Sequence, residues 1–146
     1  RSVNGIPLAE GVLRTIGEAM RMALARTLGV GERELATDIN KGTRGNPGDM
    51  SLIIHDVARG GGGYAVQGPA MLRAVLDETR AILCCTDNDP SSSEQGCDAC
   101  CTNCILTFDT RRHAVIMNRH AALDVLDDTW VAQVTTPTTT ALAHDT

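Results

Sequence analysis

"AILCCTDNDPSSSEQGCDACCTNCIL", residues 81–106, holds all six cysteines of the chain. Disulfide frameworks spread their cysteines to close several loops, whereas short CxxC units suit metal binding in a reducing compartment. Cys97 and Cys100 form one such unit and Cys101 and Cys104 another. A CxxC turn curls the backbone so that two sulfurs face one ion. Adjacent residues point apart, so Cys100 and Cys101 do not comfortably share that ion. A tetrahedral four-thiolate site therefore needs a sulfur from upstream, where only Cys84 and Cys85 are available. The preferred set is Cys85, Cys97, Cys101 and Cys104, with Zn2+ as the ion. Such a site would tie a helix end to the cysteine knot across the polar, turn-rich run 86–95. An iron–sulfur cluster also takes four cysteines, but no proline follows the last one, and it ranks second. His113, nine positions after Cys104, is a weaker candidate ligand.

Composition limits what such a clasp must do. The chain has 146 residues, 42% of them hydrophobic, enough for one domain with a real core. Aromatics are only 2%: Tyr64, Phe108 and Trp130. The core must be built from aliphatic side chains, and a metal clip would offset chain entropy. The net charge of −5 argues against a free-standing nucleic-acid binder. No apolar run is long enough to span a bilayer, and the expected location is cytoplasmic. The first residue is Arg, so a piece of a longer protein is expected.

Along the chain, 1–14 reads as a leader. A helix then starts at Thr15, whose spacing to Glu18 is that of a capping box, and stops at Gly29. "ELATDI" alternates as a short strand and residues 40–48 form a turn. "MSLIIHDVA" carries the compact run Leu52, Ile53 and Ile54, which predicts a strand buried on both faces. A glycine loop, 60–63, leads to a second helix beginning near Pro69 and ending at the cysteine pair. A third helix covers about 118–126, and residues 129–146 read as a Thr-rich tail. The order predicts an α/β domain: a small sheet packed by helices, with a cysteine-rich zinc-binding segment, over residues 15–128.

"HDVARGGGGY" admits two readings. A glycine-rich turn after a strand can cradle a phosphate, but it lacks the Lys-Ser/Thr ending of a P-loop and the GxGxxG register. A tight strand-to-helix turn is the simpler reading. His55 and Asp56 sit at the strand end, where a nucleotide-binding or hydrolytic enzyme would place acid–base groups, and one of them should point inward. Arg111, Arg112, His113, Arg119 and His120 form the one local basic cluster. It could touch phosphates, although pairing with Asp109 and Asp124 is the plainer expectation.

Taken together, "EAMRMALARTLGV", "ERELATDI", "SLIIHDVARGGGGYA", "GCDACCTNCIL" and "DTRRHAVIMNRHAAL" resemble the zinc-binding C-terminal domain of mitomycin-repair-factor-type helicases, the MZB domain. That resemblance implies zinc held by a cysteine at a helix end followed by C-x3-C-x2-C. It would place the later ligands at Cys97, Cys101 and Cys104 and the first at Cys84 or Cys85. The long loop before Cys97 and the extra Cys100 depart from the family pattern. The resemblance also implies an accessory role beside a superfamily 2 helicase motor, in DNA repair or in anti-phage systems such as DISARM. The motor would lie in the same chain or in a partner, DNA would be engaged indirectly, and the zinc would have no catalytic part.

Overall fold

The computed structural model describes residues 2–3, 6–41, 50–85, 97–102 and 104–136. The turn expected at 42–48, the polar loop 86–95 and the chain beyond 136 lie outside them. The elements are β1 (Ser2–Val3), β2 (Ile6–Pro7), α1 (Leu8–Leu28), β3 (Leu35–Lys41), β4 (Met50–Asp56), α2 (Leu72–Leu83), α3 (Arg119–Val125) and α4 (Asp128–Thr135), with short 3-10 turns between them. β1 pairs with β2 and β3 with β4, both antiparallel. The fold is mixed α/β, with a small sheet packed by helices.

The first helix differs from expectation at its start. Residues 8–14, read as leader, form its first turns. Leu8, Ala9, Leu13 and Arg14 are good helix formers, and Glu10 in the first turn complements the dipole. Thr15 is consequently not a cap. Its hydroxyl donates to the Gly11 carbonyl at 2.7 Å and accepts the Asn118 amide at 3.0 Å, which joins α1 to the start of α3. Glu18 pairs with Arg21 at 2.6 Å, and both are buried.

α1 is the central element, packed by the β3–β4 hairpin, α2, α3 and the 3-10 turn Arg111–Ile116. A helix covered on several sides needs small residues where neighbours come close. Ala19, Ala23 and Ala25 are fully buried, and a Cβ at Gly11 would run into the Ile116 carbonyl oxygen. Leu76, Leu83, Ile105, Leu126 and Val131 complete the core. Each such side chain contributes about 1.5–3 kcal/mol by leaving water.

β4 is not buried on both faces. Leu52 and Ile54 are half-buried and pack against the core, while Ile53 on the opposite face is 41% exposed. The physical reason is layering: α1 covers one face of the hairpin, so one face alternates into the core and the other meets solvent. The register pairs Leu35 with Asp56 and so sets the strand end beside the glycine loop.

α2 buries Val75, Leu76, Thr79, Ile82 and Leu83, while Met71 and Leu72 at its start are half-buried. α3 is capped by Asn118, whose Oδ1 accepts the Ala121 amide at 3.1 Å. The fold then continues into the segment expected as tail. α4 is capped by Asp127, and its Val131 is 1% exposed, so residues 128–135 are a packed helix. Its apolar residues, Trp130, Val131, Ala132 and Val134, form a short patch just before a Thr-rich run and so read as part of the tail.

Candidate metal centre

Two segments converge on one point. α2 delivers the first sulfur. Its last turn closes with the Cys84 amide donating to the Arg80 carbonyl at 3.0 Å and the Cys85 amide to that of Ile82 at 3.1 Å. Cys85 then takes a left-handed backbone, φ 46°. Glycine is the usual residue there, and a side chain costs about 1–3 kcal/mol of strain. That strain turns the Cys85 thiol back toward the knot. In the second segment the Cys104 and Leu106 amides both donate to the Cys101 carbonyl, at 3.1 and 3.0 Å, and the Cys101 amide points at the Cys104 Sγ at 3.3 Å. This is the curled turn that brings two CxxC sulfurs to one side.

The result is a cluster of Cys85, Cys97, Cys101 and Cys104, their sulfurs all within 4.8 Å of one another. Individual separations are 3.4 Å for Cys85–Cys101 and 3.7 Å for both Cys97–Cys104 and Cys101–Cys104. Four thiolates about 2.3 Å from one zinc sit roughly 3.8 Å apart in a tetrahedron, so the donor set fits a single ion. The same separations are far longer than a disulfide bond of about 2.05 Å, and all six thiols are free. The remaining two cysteines stand aside: Cys84 is exposed, and Cys100 turns its sulfur toward the Ala114 carbonyl at 3.9 Å. Burial pushes the thiols of Cys85 and Cys104 above their ordinary pKa, because a thiolate there lacks solvent. A bound cation reverses that logic by supplying the counter-charge.

Arg119 holds the two segments together. It is 4% exposed. Its Nε donates to the Cys97 carbonyl at 2.7 Å, and its Nη1 to the carbonyls of Leu83 and Cys84 at 3.1 and 3.3 Å. Its own amide donates to the Ala99 carbonyl at 2.9 Å. One guanidinium thus fixes the helix end and the knot through their backbone carbonyls. The sequence grouped Arg119 in a local basic cluster, with pairing to Asp109 and Asp124 as the plainer expectation. A signal was present: the first position of a capped helix disfavours a cation, so an Arg there answers to something else.

The other candidates lie elsewhere. His113 is not among the clustered ligands. It faces a cleft with Arg14 and Arg112, and burial, then these two charges, lower its pKa. Among the described residues the basic cluster does not pair with Asp109 or Asp124. Arg111 lies over the Phe108 ring, 4.5 Å from its centroid. At the glycine loop, Gly60, Gly61 and Gly63 have positive φ, and the turn they allow brings the amides of 63–65 round to the strand end. The anion they receive is the chain's own: Asp56 accepts the amides of Gly63 at 3.0 Å, Tyr64 at 3.2 Å and Ala65 at 2.9 Å. Asp56 is the inward residue and His55 the exposed one. A carboxylate held this way is a structural pin, and the cradle has no amide to spare at those three positions for a phosphate.

Searches of curated proteins and of solved structures give no significant match. The family model described as the MrfA Zn-binding domain matches residues 16–105, more than half of the chain and inclusive of all four clustered cysteines. With α1 from Ile16 onward, the hairpin, the glycine loop, α2 and the cysteine knot inside that match, the chain belongs to the MrfA Zn-binding domain family.

Proposed function

We propose that this chain is a structural zinc-binding accessory domain of a helicase-type DNA-processing protein, with Cys85, Cys97, Cys101 and Cys104 as the ligands. The observation that carries this is the single-ion spacing of those four sulfurs inside the family match. A cluster of several irons would hold its thiolates further apart, which favours one ion, and four thiolates favour zinc. Closed four-cysteine sites are structural, since no position is left for water or substrate. When bound, zinc would cross-link the end of α2 to the knot. Arg119 would offset the excess negative charge of four thiolates around a divalent ion. The family supports a motor in the same chain or in a partner, in DNA repair or anti-phage defence. No described helix is long and apolar enough to cross a membrane, which accords with a cytoplasmic setting.

The test is metal analysis of the purified protein, with Cys97→Ser and Cys104→Ser beside it. One zinc per chain, lost in both variants, is the expected result. A wild-type protein that folds fully without zinc or iron would overturn the metal reading. For the assembly, the expected result is a helicase motor encoded in the same or a neighbouring reading frame that co-purifies with this domain.

A further inference from the structure

On a different part of the surface, a cleft of about 700 Å³ opens between α1, the start of β3 and the segment that follows the cysteine knot. Four arginines line it, Arg14, Arg21, Arg33 and Arg112, against two carboxylates, Glu18 and Asp109. In a chain of net charge −5 this is a local reversal of sign. Two of the arginines are engaged: Arg21 with Glu18 at 2.6 Å, and Arg14 with Glu10 at 2.9 Å. Arg33 and Arg112 are exposed and form no ion pair among the described residues. They stand ready for an anion.

Phe108 lines the same cleft and is 75% exposed. Arg111 covers one face of the ring, which fixes it and leaves a flat apolar surface to solvent. Exposed Val57 extends that surface at the opposite wall. Unpaired cations beside a braced aromatic ring match a ligand that alternates phosphates with flat bases. An acidic peptide would use the cations and leave Phe108 without a partner. A duplex hides its base faces in the stack.

We infer that this cleft binds single-stranded nucleic acid, with Arg33 and Arg112 on phosphates and a base stacked on Phe108. The surface is separate from the thiol cluster, so its failure would leave the metal reading standing. The experiment is fluorescence anisotropy of the full, metal-loaded chain with labelled 15-mers of deoxythymidine and of uridine, a matched DNA duplex and polyglutamate as competitor. Binding of either single strand with a Kd on the order of 10 µM at low salt supports the inference. Phe108→Ala should weaken it about tenfold. Arg112→Gln and Arg33→Gln should each lower the salt slope by roughly 0.7. These side chains are exposed, so circular dichroism and metal content should not change. No binding of either strand overturns the inference. So does an unchanged affinity in Phe108→Ala, or competition by polyglutamate or duplex equal to that by unlabelled strand.

Discussion

The glycine loop and the cysteine knot both look like sites in the sequence, and their interiors are opposite. At the loop, three backbone amides meet one carboxylate of the same chain, so donor and acceptor charges close on themselves. At the knot, four sulfurs face one another across 3.4–3.7 Å contacts, all the same kind of group, with burial opposing their ionisation. A polar cluster whose partners are internal is part of the structure. A cluster whose members are each other's neighbours, and would carry one sign of charge once ionised, suits an outside cation.

The largest effect that would break this contrast is at the knot. Serine at Cys85, Cys97, Cys101 or Cys104 should abolish stoichiometric zinc, and chelation should loosen the end of α2 and the Cys101–Cys104 turn that the sulfurs join, since metal binding on the order of 10 kcal/mol couples to folding at such sites. Calorimetry with and without chelator measures it. The pH dependence has a definite sign. In the metal-free fold the Cys85 and Cys104 thiols are raised by burial, so that fold loses stability as pH rises through the ordinary thiol pKa of about 8.5. Metal loading displaces those protons, so zinc is released as pH falls.

Arg119→Met comes next. It removes a buried cation whose bonds reach Leu83, Cys84 and Cys97, and should weaken zinc roughly 10–100-fold in a competition assay. Arg119→Lys keeps the charge but not the fork, and should recover part of the loss. Equal loss in both would mean that geometry alone matters. Asp56→Ala should then cost about 2–3 kcal/mol in urea unfolding, by stranding its amides, while zinc per chain stays at the wild-type value. Zinc loss in that variant would erase the distinction between the two regions. Smallest of all, Cys84→Ser and Cys100→Ser should leave zinc content unchanged and shift stability by about 0.5 kcal/mol or less, as thiols that turn away from the cluster.

Much of this was legible in one dimension. CxxC spacing, together with the rule that neighbouring side chains diverge, argued that Cys100 and Cys101 do not share one ion and called for a sulfur from upstream, at Cys84 or Cys85. Helical period marked a second helix from near Pro69 to the cysteine pair and a third over about 118–126, close to α2 and α3 as found. Less legible were features set by a partner distant in sequence. Thr15 reads as a cap until Asn118 arrives at its hydroxyl. Ile53 reads as buried until the hairpin is seen to have one covered face. Trp130, Val131, Ala132 and Val134 give only a short apolar patch before a Thr-rich run, and α4 packs because α2 and the core receive it.

By itself the sequence determined residue chemistry and local period: which segments curl, which alternate, and that a dense thiol group needs an upstream donor. The tertiary structure decided what each charged group answers to. Asp56 and Arg119 are single residues in exposed-looking runs, yet one closes the glycine loop and the other fastens both halves of the knot. The reason is that desolvated polar groups must find partners, and those partners are backbone atoms 7 to 36 residues away, which no local pattern records.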